Sequence, residues 1–335
     1  MPHAPTFPFP LLVGDIGGTN ARFAMVDAPG VRLRVLTRAH TADYAGVAEA
    51  MLAATAHESV RPRSAILCGA GPVDGRTLTL TNAPWTIDGP ALVAAGVVAE
   101  GLLLNDFEAQ ALALPAIPDA YLQRIGPDLP SHGPLVVLGP GTGLGIGALL
   151  HVDDRFVPVP SEACHIGFGP DGADEERWWP HLERARGRIT TEAVMSGPGL
   201  VRVHKARAAA DGRPTPALDG PGIVARALAD RGGEEARTCR AFLRLVARFA
   251  GDIGITFVAT GGVTLAGGIL PRMRELIDPV EFRRVFEDKA PVDGLARRIG
   301  TRLVVEPEAV LEGLAAIGAT PGRYVLEYGE RLWSA

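Results

Sequence analysis

Asp15 is the first residue whose position demands a chemical reason. It closes the apolar run Leu11-Leu12-Val13-Gly14 and is followed by Ile16-Gly17-Gly18-Thr19-Asn20. Glycines at the tip of a strand-turn-strand let backbone N–H groups approach a ligand closely. Thr19 and Asn20 add side-chain donors, so the turn suits a polyphosphate. An acid at its mouth repels phosphate unless a divalent cation stands between them, which gives Asp15 its role. An ordinary Asp-Gly hairpin turn is the plainer alternative, but it needs only one glycine.

A second glycine run, Gly139-Pro140-Gly141-Thr142-Gly143-Leu144-Gly145, offers another phosphate clamp. No Lys-Ser or Lys-Thr follows it, so it is not a P-loop. Gly143-x-Gly145-x-x-Ala148 formally matches a dinucleotide fingerprint, yet the residues after it, IGALLHVD, read as a strand where that fingerprint needs a helix. Asn105-Asp106 lies at a strand-to-helix junction, where catalytic groups of α/β proteins are commonly found. Taken alone, both residues are good helix caps. Beside phosphate loops, a carboxylate there can take the proton of an attacking hydroxyl. Glu162-x-x-His165 falls in a loop-like stretch, and Glu192 precedes the sharp turn Gly197-Pro198-Gly199. Singly, these are a surface loop and a solvated helical residue. Together with Asn105 they could hold the vicinal hydroxyls of a sugar, since each carboxylate accepts from two neighbouring O–H groups.

The elements that must position these residues are legible as periodicity. Strand signals lie at 11–16, 21–27, 31–39, 64–68 and 76–81, with a helix predicted over 43–58 from Tyr44, Val47, Met51 and Leu52. Leu102-Leu103-Leu104 is a buried strand running into Asn105-Asp106 and a helix carrying Phe107, Ala111 and Leu114. Pro115 and Pro118 then break the chain at a domain boundary. Residues 135–153 repeat the opening pattern of strand, glycine turn and strand ending in Val-Asp, which points to a duplicated α/β unit. The span 171–260 is mostly helical, and Phe242, Val246, Phe249, Ile253 and Phe257 form a core stripe. A strand at 263–266 ends in Gly267-Gly268 and leads to a helix near Leu270–Ile277. Thr301–Val305 is the last predicted strand, and Pro307 opens a final helix at 308–317.

Composition bounds the class. The 335 residues suit two domains, and 47% hydrophobic with 21% charged residues is a globular profile. The net charge of −5 argues against nucleic acid or an anionic membrane as the main partner. No apolar run reaches the roughly 18 residues that span a bilayer. MPHAPTFPFP reads as a short proline-stiffened tail, not a signal peptide. Cys68, Cys164 and Cys239 are too scattered for a disulfide framework or a CxxC zinc site, and the cytoplasm is the default compartment.

The segments VGDIGGTNARFAMVD, LLLNDFEAQALALP, GPGTGLG, SEACHIGFGP, TTEAVMSGPGLVRVH and LAGGILPRM follow one another in an order that resembles the bacterial hexokinase-like glucokinases, over about residues 11 to 318. The resemblance implies a two-domain α/β actin-like ATPase fold, a duplicated ribonuclease H-like unit with an interdomain cleft. Residues 1–10 would be a flexible tail. Residues 11–116 would form a small domain completed by a C-terminal helical segment, 308–335, and 117–307 a large domain. It implies ATP-dependent phosphorylation of glucose at its 6-hydroxyl, with Mg2+, in a cytoplasmic homodimer without nucleic-acid or membrane partners. Asp106 would be the base. Asn105, Asp106, Glu162, His165 and Glu192 would hold the sugar. Gly14, Asp15, Ile16, Gly17, Gly18, Thr19, Thr142, Gly143 and Gly268 would serve ATP, with Asp15 toward the metal. Two departures stand out: Ala163-Cys164 replaces the two glycines the family often has between Glu and His, and the Gly69-Ala70-Gly71-Pro72 turn differs from the usual wording. No C-x-C-G-x-x-G-C cluster is present, which sets the chain apart from zinc-containing relatives. Rival readings are a kinase using another hexose, ADP or polyphosphate, a dehydrogenase using the 139–148 glycines, and a sugar sensor. The sensor would need a DNA-binding module, for which the roughly ten residues before the first strand leave no room.

Overall fold

The run Leu11–Ile16 is apolar on both faces of its pleat, and it becomes an interior strand, β1. It turns through Gly17–Thr19 into β2 (Asn20–Val26), which pairs antiparallel with β3 (Arg34–His40). β4 (Ser64–Gly69) is buried at every position, as a strand covered on both faces must be. It lies parallel to β1 on one side and to β5 (Glu100–Asn105) on the other. The computed structural model describes residues 4–128, 132–215 and 217–334.

Two compact units emerge. One comprises 1–121, 149–159 and 306–335; the other comprises 122–148 and 160–305. In the first, the sheet order is Leu332–Ser334, β5, β4, β1, β2, β3. A second six-stranded sheet, made of β6 (Leu135–Pro140), β7 (Leu144–Val152), β8 (Arg155–Ser161), β9 (Gly262–Leu265), β10 (Thr301–Val304) and Leu122–Arg124, runs in the order β8, β7, β6, β9, β10, Leu122–Arg124 and belongs to the second unit except at residues 149–159. The two orders coincide strand for strand, each with one added edge strand. The repeat read in the sequence is therefore a repeat of topology, with β6 parallel to β9 as β1 is to β4.

Several expectations need correction. The helix predicted over 43–58 spans only Val47–Ala54, because extended Gly46 caps it, and Leu52 faces solvent. The helix near Leu270–Ile277 is a 3-10 segment, Leu270–Leu276, broken at Met273. Thr301–Val304 is not the last strand. The segment 308–335 is helical only over Ala309–Ala319, apart from short turns, and it ends in the edge strand Leu332–Ser334, antiparallel to β5. Trp333 anchors that strand in the core, flat against Gly89 and Gly101. At the other end, residues 4–10 pack instead of trailing: Phe7 is buried, and the Ser64 hydroxyl donates to the Pro8 carbonyl. Residues 1–3 and 335 of the terminal segments lie outside the described residues. The stripe on the long helix Glu234–Thr256 is core as expected at Phe242, Val246, Phe249 and Ile253, whereas Phe257 caps the helix end and is only half-buried.

Candidate active site

In the first unit the register decides what meets what. Asp15 on β1 pairs across the hairpin with Arg22 on β2 and lies beside Cys68 on β4. Arg22 Nη1 donates to Asp15 Oδ2 at 2.7 Å, and Cys68 Sγ lies 3.7 Å from Asp15 Oδ1. The next step over, β5 ends at Asn105, and Asp106 opens the helix Asp106–Ala113. Burial raises the Asp106 carboxyl from the usual carboxylate range to about 7, with the negative charge of Asp15 adding to the shift. Donors from the Phe107 backbone, its own backbone and Asn105 pull the other way without prevailing.

Asn105 serves the helix first. Its Oδ1 accepts from the N–H groups of Phe107 and Glu108, its Nδ2 donates to the Gly71 carbonyl, and Glu108 closes a capping box. The amide has two N–H donors, so one remains for a ligand. The turn beyond Asp15 is held by Gly17 N–H donating to the Asn20 carbonyl and by Thr41 Oγ1 donating to the Gly18 carbonyl. Thr19 and Asn20 are exposed at its tip. Gly14 and Ile16 are buried within β1. A Cβ on Gly14 would stand 2.8 Å from Leu67 Cδ2, so that glycine serves the packing of the core.

In the second unit three glycine turns converge. β6 leads into Gly141–Gly143, and β9 leads into Ala266–Gly268. Gly267 takes φ +83, and a Cβ there would stand 2.4 Å from the Pro140 carbonyl oxygen, so the two turns are in contact. Gly197, at the start of the helix Gly197–Ala210, donates its N–H to the Gly141 carbonyl at 2.8 Å. Glu192 Oε2 accepts from Leu144 N–H at 3.0 Å, placing a carboxylate beside Gly143. A Cβ on Gly143 would lie 2.6 Å from that oxygen. Thr142 and Gly268 are exposed at the rim of these turns.

Glu162 and His165 flank the 3-10 turn Ala163–His165, both exposed, with His165 Nε2 3.5 Å from Glu162 Oε2. The turn is pinned from behind by buried Thr191, whose hydroxyl donates to the carbonyl of Cys164 at 2.6 Å, with that of Ala163 at 3.0 Å. Thr191 is next to Glu192, so one short helix, Thr191–Val194, links the Glu162–His165 turn to the carboxylate at the glycine turns. Burial and the nearby carboxylates of Glu162 and Glu192 raise the Cys164 thiol to about 12.

Sequence reasoning missed Arg22, gave Cys68 no role at the site, and read Gly197 only as part of a sharp turn. Arg22 had a signal, because it sits directly opposite Asp15 once the hairpin register is counted through the glycines. The dinucleotide alternative fails, since Leu144–Val152 is a strand and no helix follows the glycines.

The glucokinase family model matches residues 12–321. The chain belongs to the glucokinase family. A glucokinase of Rhizobium meliloti (strain 1021) is 40% identical over 338 residues, covering 99% of each chain. The crystal structure of a glucokinase from an Antarctic psychrotroph superposes with a TM-score of 0.80 at 28% identity, covering 92% of this chain and 98% of that one. A glucokinase of Balamuthia mandrillaris, solved in complex with glucose, shares the fold at TM-score 0.75 and 21% identity, with 92% and 93% covered. The duplicated α/β architecture is thus the actin-like ATPase fold of these kinases. No helix among the described residues is long and apolar enough to cross a membrane.

Proposed function

We propose that this chain transfers the γ-phosphoryl group of ATP to the 6-hydroxyl of glucose, with Asp106 as the base. Family membership supports the reaction class. The observation that carries the mechanism is the place of Asp106, a carboxyl at the junction of β5 and the helix it opens, beside Asn105, where burial and the Asp15 charge raise its pKa to about 7. A base with that pKa is about half ionised near neutrality, and it gains from accepting a proton. In the transfer, the sugar O6–Pγ bond forms, the bond from Pγ to the bridging oxygen breaks, ADP leaves, and the O6 proton passes to Asp106 Oδ. The transition state is loose, so the proton moves late and Asp106 chiefly orients the hydroxyl. Base assistance of this kind is worth about 10²–10⁴-fold.

The remaining assignments are those that the family resemblance implies, and donor chemistry suits them. Asn105 contributes its spare N–H to the sugar, and Glu192 the carboxylate oxygen not engaged by Leu144. Glu162 and His165 bind further hydroxyls. The Gly17–Thr19 turn acts through its backbone N–H groups, as do Thr142, Gly143 and Gly268, while Gly14 and Ile16 lie buried in β1 and serve the packing behind it. Asp15 suits a hard dication: its carboxylate is largely buried, and a second carboxyl, Asp106, feels its charge. With the nucleotide bound, Asp15 would hold magnesium, whose charge would neutralise that of the phosphates. Arg22 keeps the Asp15 carboxylate in one orientation. A homodimer is the expected assembly, and sedimentation at several concentrations checks it.

The test is initial rates on a panel of hexoses crossed with ATP, ADP and polyphosphate. Glucose with ATP is expected to lead, with stoichiometric ADP and glucose 6-phosphate. Absence of glucose 6-phosphate with ATP, or a nicotinamide-dependent absorbance change without it, overturns the reading.

A further inference from the structure

We propose that Glu162, Cys164 and His165 form a binding site for a soft divalent cation such as Zn2+, and that the cation competes with the sugar. The first half stands on the geometry of the second unit alone. The second half rests on the proposed sugar role of Glu162 and His165.

The three residues offer a carboxylate oxygen, a thiol sulfur and an imidazole nitrogen, all within 4.8 Å of one another. Glu162 Oε2 lies 3.6 Å from Cys164 Sγ and 3.5 Å from His165 Nε2. In a tetrahedral zinc site, bond lengths of about 2.0–2.3 Å set ligand-to-ligand separations of about 3.3–3.6 Å. Two of the three edges are therefore nearly at bonding length already. Sulfur, nitrogen and one oxygen is a set that suits zinc and does not suit magnesium, which demands oxygen ligands. A fourth position stays open to water, as in zinc sites with three protein ligands.

The site is also built in advance. The 3-10 turn places Cys164 inward and Glu162 and His165 outward, and the cation needs a position reached by all three. Thr191 holds the carbonyls of Ala163 and Cys164, His165 N–H donates to the Glu162 carbonyl, and Thr191 N–H donates to the Ile166 carbonyl. Little ordering remains for the cation to impose. Coordination deprotonates a thiol outright, so the cation takes the place of the Cys164 proton, which passes to solvent, and its charge offsets those of the thiolate and the Glu162 carboxylate. Glycine at this position would supply no sulfur, and the trio would reduce to two ligands. The Cys164 side chain thus makes a polar loop into a chelate.

The experiment uses the full chain with CoCl2 as spectroscopic probe and ZnCl2 in competition with a chromogenic chelator. Wild type is expected to show thiolate-to-cobalt charge-transfer absorption in the near ultraviolet. Cys164→Ala, and the near-isosteric Cys164→Ser as a guard against misfolding, are expected to lose it while keeping turnover of glucose with ATP and magnesium. Loss of a single outer partner of a metal ligand weakens binding about 10–100-fold, so losing the thiol itself is expected to weaken zinc by at least about 100-fold. Absence of the band in wild type overturns the proposal. So does its persistence in both variants, which would move the site to Cys68 or Cys239. Saturating glucose is expected to weaken zinc binding. If zinc binds through Cys164 and glucose does not oppose it, the competition fails together with the sugar role of Glu162 and His165, while the cation site stands. If zinc does not bind at all, the cation site is refuted and the kinase reading is untouched.

Discussion

Replacing Asp106 with asparagine separates catalysis from stability, and the structure gives both signs. The native carboxyl stands at about 7 against an ordinary value of 3.8, because burial and the Asp15 charge oppose its ionisation. The folded protein therefore holds the proton more tightly than the unfolded chain does. The resulting stabilisation is fully present below the ordinary carboxylate value and is gone once the pH has risen through about 7. Between pH 5 and pH 8 the wild type is expected to lose about 2–3 kcal/mol from this one group, since each tenfold difference in proton affinity between the folded and unfolded chain is worth about 1.4 kcal/mol. The asparagine side chain does not titrate. Its amide oxygen can still accept from the Phe107 N–H, so local geometry survives. Asp106→Asn is thus expected to cost about 10²–10⁴-fold in turnover and yet to unfold later than wild type at pH 8. The assay pairs kcat with thermal midpoints of both proteins at pH 5 and pH 8. The midpoint gap between the two proteins should open by several degrees toward pH 8. Parallel midpoints across that range, or a variant that unfolds earlier than wild type at pH 8, would refute the reasoning that Asp106 is held against its own charge.

Three other expectations follow from the same site and fold. Wild-type kcat/KM for glucose, which reports the free enzyme, should fall on the acid side with an apparent pKa near 7, and Asp15→Asn should move that limb to lower pH by removing the like charge; an unmoved limb in the pH–rate profile would separate the two carboxyls. Gly143→Ala puts a Cβ where the Glu192 carboxylate sits, and because that carboxylate can swing away, the KM for glucose should rise on the order of tenfold with little change in thermal midpoint. Trp333→Ala removes the plug at the end of the first sheet and should cost about 3–5 kcal/mol, read as an early loss of structure in the first unit by hydrogen exchange.

The ion pair between Arg331 and Glu108 shows why the C-terminal segment escaped the sequence reading. Arg331 Nη1 donates to both Glu108 oxygens, at 2.8 and 2.6 Å, on the helix that Asp106 begins. Near the other end of this segment, Glu308 pairs with Arg38 of β3. Nothing in the pattern of GRYVLEYGERLWS marks an edge strand; it becomes one because β5 offers a free edge and Gly89 and Gly101 leave room for the Trp333 indole. The shortened helix at Val47–Ala54 has a local cause that propensity understates, since extended Gly46 starts it late.

What the chain determined by itself was whatever is local. Apolar runs and alternation marked the strands of both units, paired glycines marked the turns after β1 and β6, and the abrupt change from Leu102-Leu103-Leu104 to Asn105-Asp106 marked a strand end that starts a helix. These signals depend on neighbours a few residues away, through pleat, helical pitch and turn sterics. Only the tertiary structure decided which groups face one another: Arg22 and Cys68 on Asp15, Gly71 on Asn105, Leu144 N–H on Glu192, and Thr191 behind the Glu162–His165 turn. It also decided that burial and the Asp15 charge together raise the Asp106 carboxyl to about 7. Such properties are fixed by the parallel order of strands distant in sequence and by the exclusion of water between them, and no window along the chain contains either.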